Sequence, residues 1–342
     1  MVRQNHGIAE ETSEAVDQVI GKYVADFDES ISELPRRRMG HPRLRDLSIR
    51  LGYALAGGED WREVIPVCVA YELENCSSYL INWIFDEKGG EKTKLESDNL
   101  ITAGMLLREL ADVVLRDNGF GDLTPSINEI QVNGYKGQFA DNNRLKVENL
   151  EEFCSYEDYL REYEQRCEDL SGYFYGHCLL SGSRVAGNEK PVLFGIGKTF
   201  GAGLQASNDV GDFALPNSYL DLVEKPYSDQ FSDLRQGKLT LPVYLLLTKT
   251  DEETGAIVRD CVGKDLSLEK CGEIVEVFRA TGGLDDSIAY LREKRKLAKK
   301  KLYDNFDRSE ARDRIGEMFS AITSNKFLAH LKNLRGDDGE RT

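Results

Sequence analysis

Hydrophobic residues recur along most of the chain at the three- and four-residue spacing of one helical face. One such series comprises Leu44, Leu47, Leu51 and Leu55. Similar series run through residues 65–73 and 100–114. Apolar residues at i, i+3, i+4 and i+7 are typical of amphipathic α-helices, and the alternation typical of strands is nearly absent. Breakers such as Gly57-Gly58 separate the series. The pattern predicts an all-α protein of about a dozen helices.

Two segments carry almost no charge, Asn75–Phe85 and Pro191–Val210. A helix that is apolar on all sides must be buried on all sides, as at the centre of a large bundle. Such a bundle can enclose a long apolar cavity, and the length of the chain leaves open whether it forms one domain or two. The closing residues RGDDGERT have no apolar side chains, so residues 331–342 are predicted to form a flexible tail.

The charge balance excludes one class of partner. The chain has 60 acidic and 44 basic residues and a formal net charge of −16, whereas a nucleic-acid-binding protein needs a basic surface. No stretch approaches the roughly 18 apolar residues of a membrane span, and the N-terminus lacks the apolar core of a signal peptide. We expect no nucleic acid, no membrane span and a cytoplasmic location. The seven cysteines form no CxxC pair and are expected to be reduced, structural thiols.

The segment QASNDVGDF, residues 205–213, is the richest in candidate chemistry. On a helix, Asn208, Asp209 and Asp212 fall at i, i+1 and i+4, which brings three oxygen ligands to one side. Mg²⁺ binds one or two carboxylates together with phosphate oxygens of a substrate, so a magnesium site is one interpretation of this triplet. A solvated acidic helix end is the other.

A second segment, SDLRQGKLTLP at residues 232–242, places Arg235 and Lys238 before an apolar helix, where they could reach a diphosphate. In this order and at this spacing, the two segments resemble the second half of the trans-isoprenyl diphosphate synthases, the polyprenyl synthetase family. That family reads roughly GxxFQxxDDxxD and then SDxxxGKxTLP. Here residues 201–212 keep Gln205 and two of the three aspartates, and GKLTLP is intact. The resemblance runs from about residue 20 to residue 325 and implies the all-α isoprenoid-synthase fold. We therefore expect a single domain over residues 1–330, an antiparallel helical bundle around a central cavity.

The first half of the chain is similar to the family in layout and departs from it in chemistry. The family opens with GGKRLRP, whose basic residues grip isopentenyl diphosphate; here the segment reads GHPRLRD, so Arg43 and Arg45 remain and the lysine is lost. Asn75 stands where the family has His or Gln. The family's first acidic motif, DDxxD, aligns with residues 82–86, where Asp86 alone is acidic.

Two further basic elements of the family are altered. Its Arg-Arg-Gly after the first acidic motif is replaced by EKGGEKTKLES, and whether Lys88, Lys92 or Lys94 supplies the missing charge stays open. Its Lys-Thr pair on a middle helix aligns near Gln165–Arg166.

Carried over residue by residue, the resemblance implies a set of site residues on both halves of the chain. The implied metal ligands are Asp209, Asp212, Asn208, Asp86 and Asn82, and the implied catalytic residues are Asp209, Asp212 and Asp86. The implied diphosphate-binding residues are Arg43, Arg45, Asn75, Gln205 and Lys238. The resemblance also implies Mg²⁺ as cofactor, an allylic diphosphate and isopentenyl diphosphate as substrates, and the two acidic motifs facing each other across the cavity.

Product length in the family depends on the residues four and five positions before the first acidic motif. Those positions are Ser78 and Ser77 here, and both side chains are small, which predicts a tunnel for a C20 or longer chain. Tyr79 or Trp83 could close the tunnel instead. The alternative is that the two serines pack against a neighbouring helix.

The departures from the family predict weakened metal chemistry. Asp86, Asp209 and Asp212 remain where the family has six carboxylates, and an amide ligand carries no charge, so the expected Mg²⁺ site is weak. Three hypotheses follow. The chain is a divergent prenyl-diphosphate synthase subunit, a homodimer or a heteromer with a motif-complete catalytic homologue; or it is a stand-alone prenyltransferase or class I terpene-cyclase-like enzyme; or it is a non-catalytic isoprenoid-binding or regulatory subunit.

Overall fold

The computed structural model describes residues 3–36, 43–85, 97–213 and 231–323. Within these ranges the chain forms fifteen α-helices and no strand, so the all-α prediction is confirmed. The helices are α1 (Arg3–Tyr23), α2 (Glu29–Arg36), α3 (Leu44–Leu55), α4 (Ile65–Phe85), α5 (Ser97–Asp117), α6 (Thr124–Phe139), α7 (Tyr156–Cys167), α8 (Tyr173–Val185), α9 (Val192–Gly211), α10 (Ser232–Arg235), α11 (Leu241–Lys249), α12 (Glu252–Cys261), α13 (Leu268–Ala280), α14 (Gly283–Asn305) and α15 (Glu310–Met318).

The chain divides into two compact units. Unit 1 comprises residues 1–135, 172–199 and 298–319, and unit 2 comprises residues 136–171, 200–297 and 320–342. The predicted single domain over residues 1–330 stays a prediction, and the predicted tail over residues 331–342 lies outside the described residues.

In unit 1, α4 packs along α5 at the centre of the core, while α3 packs along α8. The prediction that the uncharged segment Asn75–Phe85 is buried on all sides is wrong for its second half, because Tyr79 and Phe85 are exposed. The α3–α8 contact depends on glycine. A Cβ on Gly52 would lie 2.2 Å from the Leu179 carbonyl oxygen, and a Cβ on Gly182 would lie 2.0 Å from that of Ile49. Because no side chain fits at either position, the two helix backbones can approach closely there. This packing positions the start of α3, which carries the two arginines of the GHPRLRD segment.

In unit 2, α11 packs against α12 and α13, and aromatic rings link α7 to α11. The rings of Tyr159 and Tyr244 stack with centroids 3.8 Å apart. The GKLTLP segment is extended before α11 and forms one antiparallel bridge, between Lys146 and Lys238. Pro242 then lies in the first turn of α11, where a missing backbone N–H costs nothing.

Two further expectations concern the whole chain. Among the described residues, no helix combines the length and the hydropathy that crossing a bilayer requires. All seven cysteines are free thiols, and all except Cys154 are buried, in agreement with a structural role.

Candidate functional site

Arg43 precedes α3 and is almost completely buried. Its Nε donates to Asp46 Oδ2 at 2.7 Å and its Nη1 to Asp17 Oδ1 at 2.6 Å. The backbone N–H of Arg43 donates to Ser13 Oγ at 3.0 Å, and the same hydroxyl donates to Asp46 Oδ2. The guanidinium group therefore joins α1 to α3 through two carboxylates, and its predicted role in diphosphate binding stays a prediction.

Arg45 is also paired within unit 1. Its Nε and Nη2 donate to Glu72 Oε1 and Oε2 at 2.6 and 3.1 Å, and its guanidinium lies 5.9 Å from the centre of the Phe174 ring. Burial alone would lower the pKa of Arg45, but Glu72 raises it well above the usual value. We call Asp17, Arg43, Arg45, Asp46 and Glu72 the arginine cluster. It contains three carboxyl groups and two guanidinium groups.

Asp46 is the unusual member of the arginine cluster, because the family motif has proline at this position. It is fully buried, and burial together with the neighbouring Glu72 raises its pKa to about 7, against the effect of Arg43. Asp46 Oδ1 accepts no hydrogen bond from the described residues.

Asn75 lies on α4 with 7% of its surface exposed. No acceptor among the described residues pairs with its Nδ2. A buried amide donor without a partner costs free energy unless a ligand or water supplies the acceptor. This geometry agrees with the predicted role of Asn75 as a donor to a diphosphate, which stays a prediction.

The predicted chain-length residues also lie on α4. Ser77 is buried where α4 meets α5, and a Cβ on Gly104 would lie 3.5 Å from the Ser77 carbonyl oxygen. Ser78 is half-buried and donates to Glu74 Oε1 at 3.4 Å. The backbone of Ser77 therefore lies close to α5, and the predicted role of Ser77 and Ser78 in setting product length stays a prediction.

The first acidic motif is described in part. Asn82 is half-buried near the end of α4. Asp86 and the three loop lysines, Lys88, Lys92 and Lys94, lie outside the described residues.

In unit 2, Asp209 is buried on α9 and accepts three hydrogen bonds from side chains. Tyr163 Oη and Arg166 Nη1 donate to its Oδ2 at 2.7 and 2.5 Å, and Gln205 Nε2 donates to its Oδ1 at 3.1 Å. Gln205 in turn accepts from Ser171 at 2.9 Å. Both oxygens of Asp209 therefore have donors from the protein itself.

Arg166 connects Asp209 to a second carboxylate. Its Nε and Nη2 donate to Asp141 Oδ1 and Oδ2 at 2.7 and 3.2 Å. Lys238 Nζ lies 3.4 Å from Asp141 Oδ2. Although burial opposes it, the charges of Arg166 and Lys238 hold the pKa of Asp141 below its usual value.

Asp212 ends the acidic segment and holds the start of α10. Its Oδ1 accepts from the backbone N–H and the hydroxyl of Ser232 at 3.1 and 2.9 Å, and its Oδ2 accepts from the backbone N–H of Asp233 at 3.0 Å. Burial, together with Asp212 and Asp209, raises the pKa of Asp233 well above its usual value. We call Asp141, Arg166, Asp209, Asp212, Asp233 and Lys238 the aspartate cluster.

The residues of this cluster do not fit a Mg²⁺ site as they are placed. Each oxygen of Asp209 and Asp212 accepts a hydrogen bond from the protein, and Asp209 pairs with a guanidinium group. Asn208, the third predicted ligand, is exposed and has no charge. Within the described ranges, no three acidic, histidine or cysteine side chains are arranged to hold a metal ion. The metal and catalytic roles of Asp209 and Asp212 stay predictions.

Sequence reasoning did not anticipate Asp141 and Tyr163. Tyr159, Tyr163 and Arg166 follow one another on one face of α7 at helical spacing, so their burial on one side was open to prediction. Asp141 lies in a short π-helical turn inside the polar run ADNNR and gives no such signal.

No protein-family profile and no curated relative matches this chain. Several solved structures match it over nearly its whole length. The polyprenyl synthase from Caulobacter crescentus CB15, solved with calcium and isoprenyl diphosphate, has a TM-score of 0.77 and 16% identity, covering 95% of this chain and 98% of that one. The heptaprenyl diphosphate synthase from Staphylococcus aureus has a TM-score of 0.74 and 18% identity, covering 93% and 98%. The geranylgeranyl pyrophosphate synthetase from Pyrococcus horikoshii Ot3 has a TM-score of 0.73 and 20% identity, covering 94% and 98%. The chain therefore has the isoprenoid-synthase fold, which confirms the resemblance at the level of fold.

Proposed function

We propose that this chain is a divergent member of the prenyl diphosphate synthases and acts in isoprenoid biosynthesis. As a subunit, it takes part in the condensation of an allylic diphosphate with isopentenyl diphosphate to a C20 or longer product, together with a motif-complete partner. The fold shared over nearly the whole chain supports this proposal, as do Gln205 and the intact GKLTLP segment at residues 237–242.

One observation supports the need for a partner. Both predicted diphosphate-binding arginines pair with carboxylates of the protein itself. Arg43 binds Asp46 and Asp17, and Arg45 binds Glu72 in a bidentate pair. A diphosphate can recruit these guanidinium groups only if it displaces carboxylates that have already lost their hydration. The substitution that brings Asp46 into the motif therefore works against ligand binding at this position.

Ionisation of an allylic diphosphate demands positive charge around the leaving group as the carbocation forms. Loss of a single such donor commonly costs a factor of roughly 10² in rate, and losses within one cooperating set are not additive. In the described part of the chain, Asn75 is the predicted diphosphate donor whose amide N–H is unpaired. One neutral donor does not replace a set of cationic groups around the diphosphate. We therefore expect the allylic diphosphate to ionise in the partner.

The proposal is tested by an assay of the purified chain with Mg²⁺, labelled isopentenyl diphosphate and allylic diphosphates of several lengths. The chain alone should give no turnover. Mixed with a motif-complete homologue from the same genome, it should raise the rate or change the product length relative to that homologue alone. Turnover by the chain alone would support the stand-alone hypothesis.

A matched pair of variants controls the mixing experiment. N75A should reduce the effect of the chain on the mixture, because it removes the unpaired donor, whereas T102A, at an exposed position on α5, should leave the effect unchanged. A mixture whose activity and product equal those of the homologue alone would contradict the proposal and favour a non-catalytic isoprenoid-binding role.

A further inference from the structure

We infer that Arg166 is a built-in counter-ion that takes the place of a divalent cation beside Asp209, so that the charge of Asp209 is compensated without metal. The inference rests on the proposed function for one point, the expectation that a metal would belong at the second acidic segment. Everything else in it follows from the contacts of the aspartate cluster.

Two of the four carboxylates of this cluster, Asp141 and Asp209, have cations as partners. Arg166 pairs with Asp209 at 2.5 Å and with Asp141 at 2.7 Å, and Lys238 lies 3.4 Å from Asp141. Two cations thus meet two carboxylates, all four side chains buried. The carboxylate of Asp212 is stabilised by hydrogen bonds from the Ser232 hydroxyl and from the backbone N–H groups of Ser232 and Asp233 at the start of α10.

Arg166 is also fixed in place. Two of its nitrogens form a fork with both oxygens of Asp141, and a third bonds Asp209. Its guanidinium lies 5.9 Å from the centre of the Tyr163 ring, whose hydroxyl bonds the same Asp209 oxygen. A divalent cation at Asp209 would have to approach this buried guanidinium, and the repulsion between two cations in a poorly hydrated site is strong. Arg166 cannot move away without breaking its two hydrogen bonds to Asp141.

Asn208 is the third predicted metal ligand of this segment. It is the exposed member of the acidic segment, whereas Asp209 and Asp212 are buried. An accessible cation would meet this side chain first, and an amide contributes no charge to hold a hard dication. The segment therefore offers an uncharged group on its surface and compensated carboxylates beneath it.

The test is metal binding rather than turnover. The wild-type chain is titrated with Mn²⁺ by electron paramagnetic resonance, and its thermal unfolding is followed with and without Mg²⁺ at constant ionic strength. We expect no saturable Mn²⁺ site that depends on Asp209 and no change in Tm beyond that caused by a monovalent salt. R166Q leaves Asp141 and Asp209 without their shared counter-ion, so Mg²⁺ should raise its Tm by about 3–8 °C.

Two controls separate a counter-ion from a merely structural residue. R166K keeps a positive charge, so it should stay insensitive to Mg²⁺. R161Q removes an exposed arginine from the same helix and should respond like the wild type. If R166Q does not fold, the wild-type titration alone decides the matter.

A saturable Mn²⁺ site in the wild type that D209N abolishes would overturn the inference. So would a folded R166Q whose Tm does not respond to Mg²⁺. Neither result depends on prenyl transfer, so a failure here is distinct from a failure of the mixing experiment, which concerns the proposed function.

Discussion

In the arginine cluster of unit 1, three carboxyl groups surround two guanidinium groups, whereas in the aspartate cluster of unit 2 one guanidinium and one ammonium group pair with Asp141 and Asp209. The residues expected to bind ligand are the cations in the first case, and the anions together with Lys238 in the second. In both, the charges that the resemblance assigns to a diphosphate or a metal are paired within the protein. A sequence can thus retain the residues of a binding motif while those residues stabilise the folded protein through ion pairs.

Two buried carboxyl groups, one from each cluster, differ in how they respond to protons. In the arginine cluster, burial and Glu72 raise the pKa of Asp46 to about 7, so Asp46 titrates near neutral pH. In the aspartate cluster, Arg166 and Lys238 hold the pKa of Asp141 below its usual value despite burial, whereas burial, Asp212 and Asp209 raise the pKa of Asp233. The cost of removing Arg43 should therefore depend on pH.

The largest effect is expected for Arg166. R166Q leaves two buried carboxylates without their shared cation, and breaking a buried pair from one side costs about 3–5 kcal/mol of unfolding free energy. Denaturant unfolding at pH 7 in the absence of divalent cations measures it. R161Q, which breaks an exposed pair with Asp158 on the same helix, should cost about 1 kcal/mol or less. Equal losses of unfolding free energy in the two variants would show that burial of the Arg166 ion pairs contributes nothing to stability.

A smaller and pH-dependent loss is expected for Arg43. R43Q should cost about 2–4 kcal/mol at pH 8, where Asp46 would be left ionised and buried. At pH 6 the loss should shrink, because the raised pKa of Asp46 lets it bind a proton and shed its charge. If R43Q lost the same free energy at both pH values, protonation of Asp46 would not explain its loss of stability.

The sequence predicted the helices well because each helical face is encoded by residues three or four positions apart. Helix α4 follows from that spacing, and so does α9, which carries Asp209. The absence of charge in residues 75–85 did not predict burial, because Tyr79 and Phe85 are exposed whereas Glu72 is buried. Within α9, Gln205 and Asp209 are four residues apart and do contact each other.

Ion pairs between elements could not be predicted in this way. Arg166 and Asp209 are 43 positions apart, and Arg45 and Glu72 are 27 apart. No local pattern shows which charged side chains meet across helices. The sequence therefore suggested ligand-binding roles for Arg43, Arg45, Asp209 and Asp212. Burial of these groups together with their partners is a property of the tertiary structure.

Glu74 extends the pH comparison within unit 1. Burial raises its pKa to about 8, against the effect of Arg108. Because the folded state holds a proton that the unfolded chain releases at lower pH, this group lowers stability as the pH rises from about 4.5 to 8. E74Q removes the titration, so the fall in unfolding free energy between pH 5 and pH 9 should be smaller than in the wild type by about 4 kcal/mol. If the unfolding free energy of E74Q depended on pH as that of the wild type does, a group other than Glu74 would cause the pH dependence.

The smallest change in stability is expected for Asn75, and here the comparison separates ligand-binding residues from structural ones. Its buried Nδ2 bonds nothing in the described structure, so N75A removes no hydrogen bond from that atom and should change the unfolding free energy by less than about 1 kcal/mol. In the mixture with a motif-complete homologue, the same variant should raise the KM for isopentenyl diphosphate about tenfold, the value of one lost hydrogen bond to a charged ligand. A loss of stability as large as that of R43Q, with an unchanged KM, would instead assign Asn75 to the core. A residue that stabilises nothing while its polar group is buried is the one most available to a diphosphate.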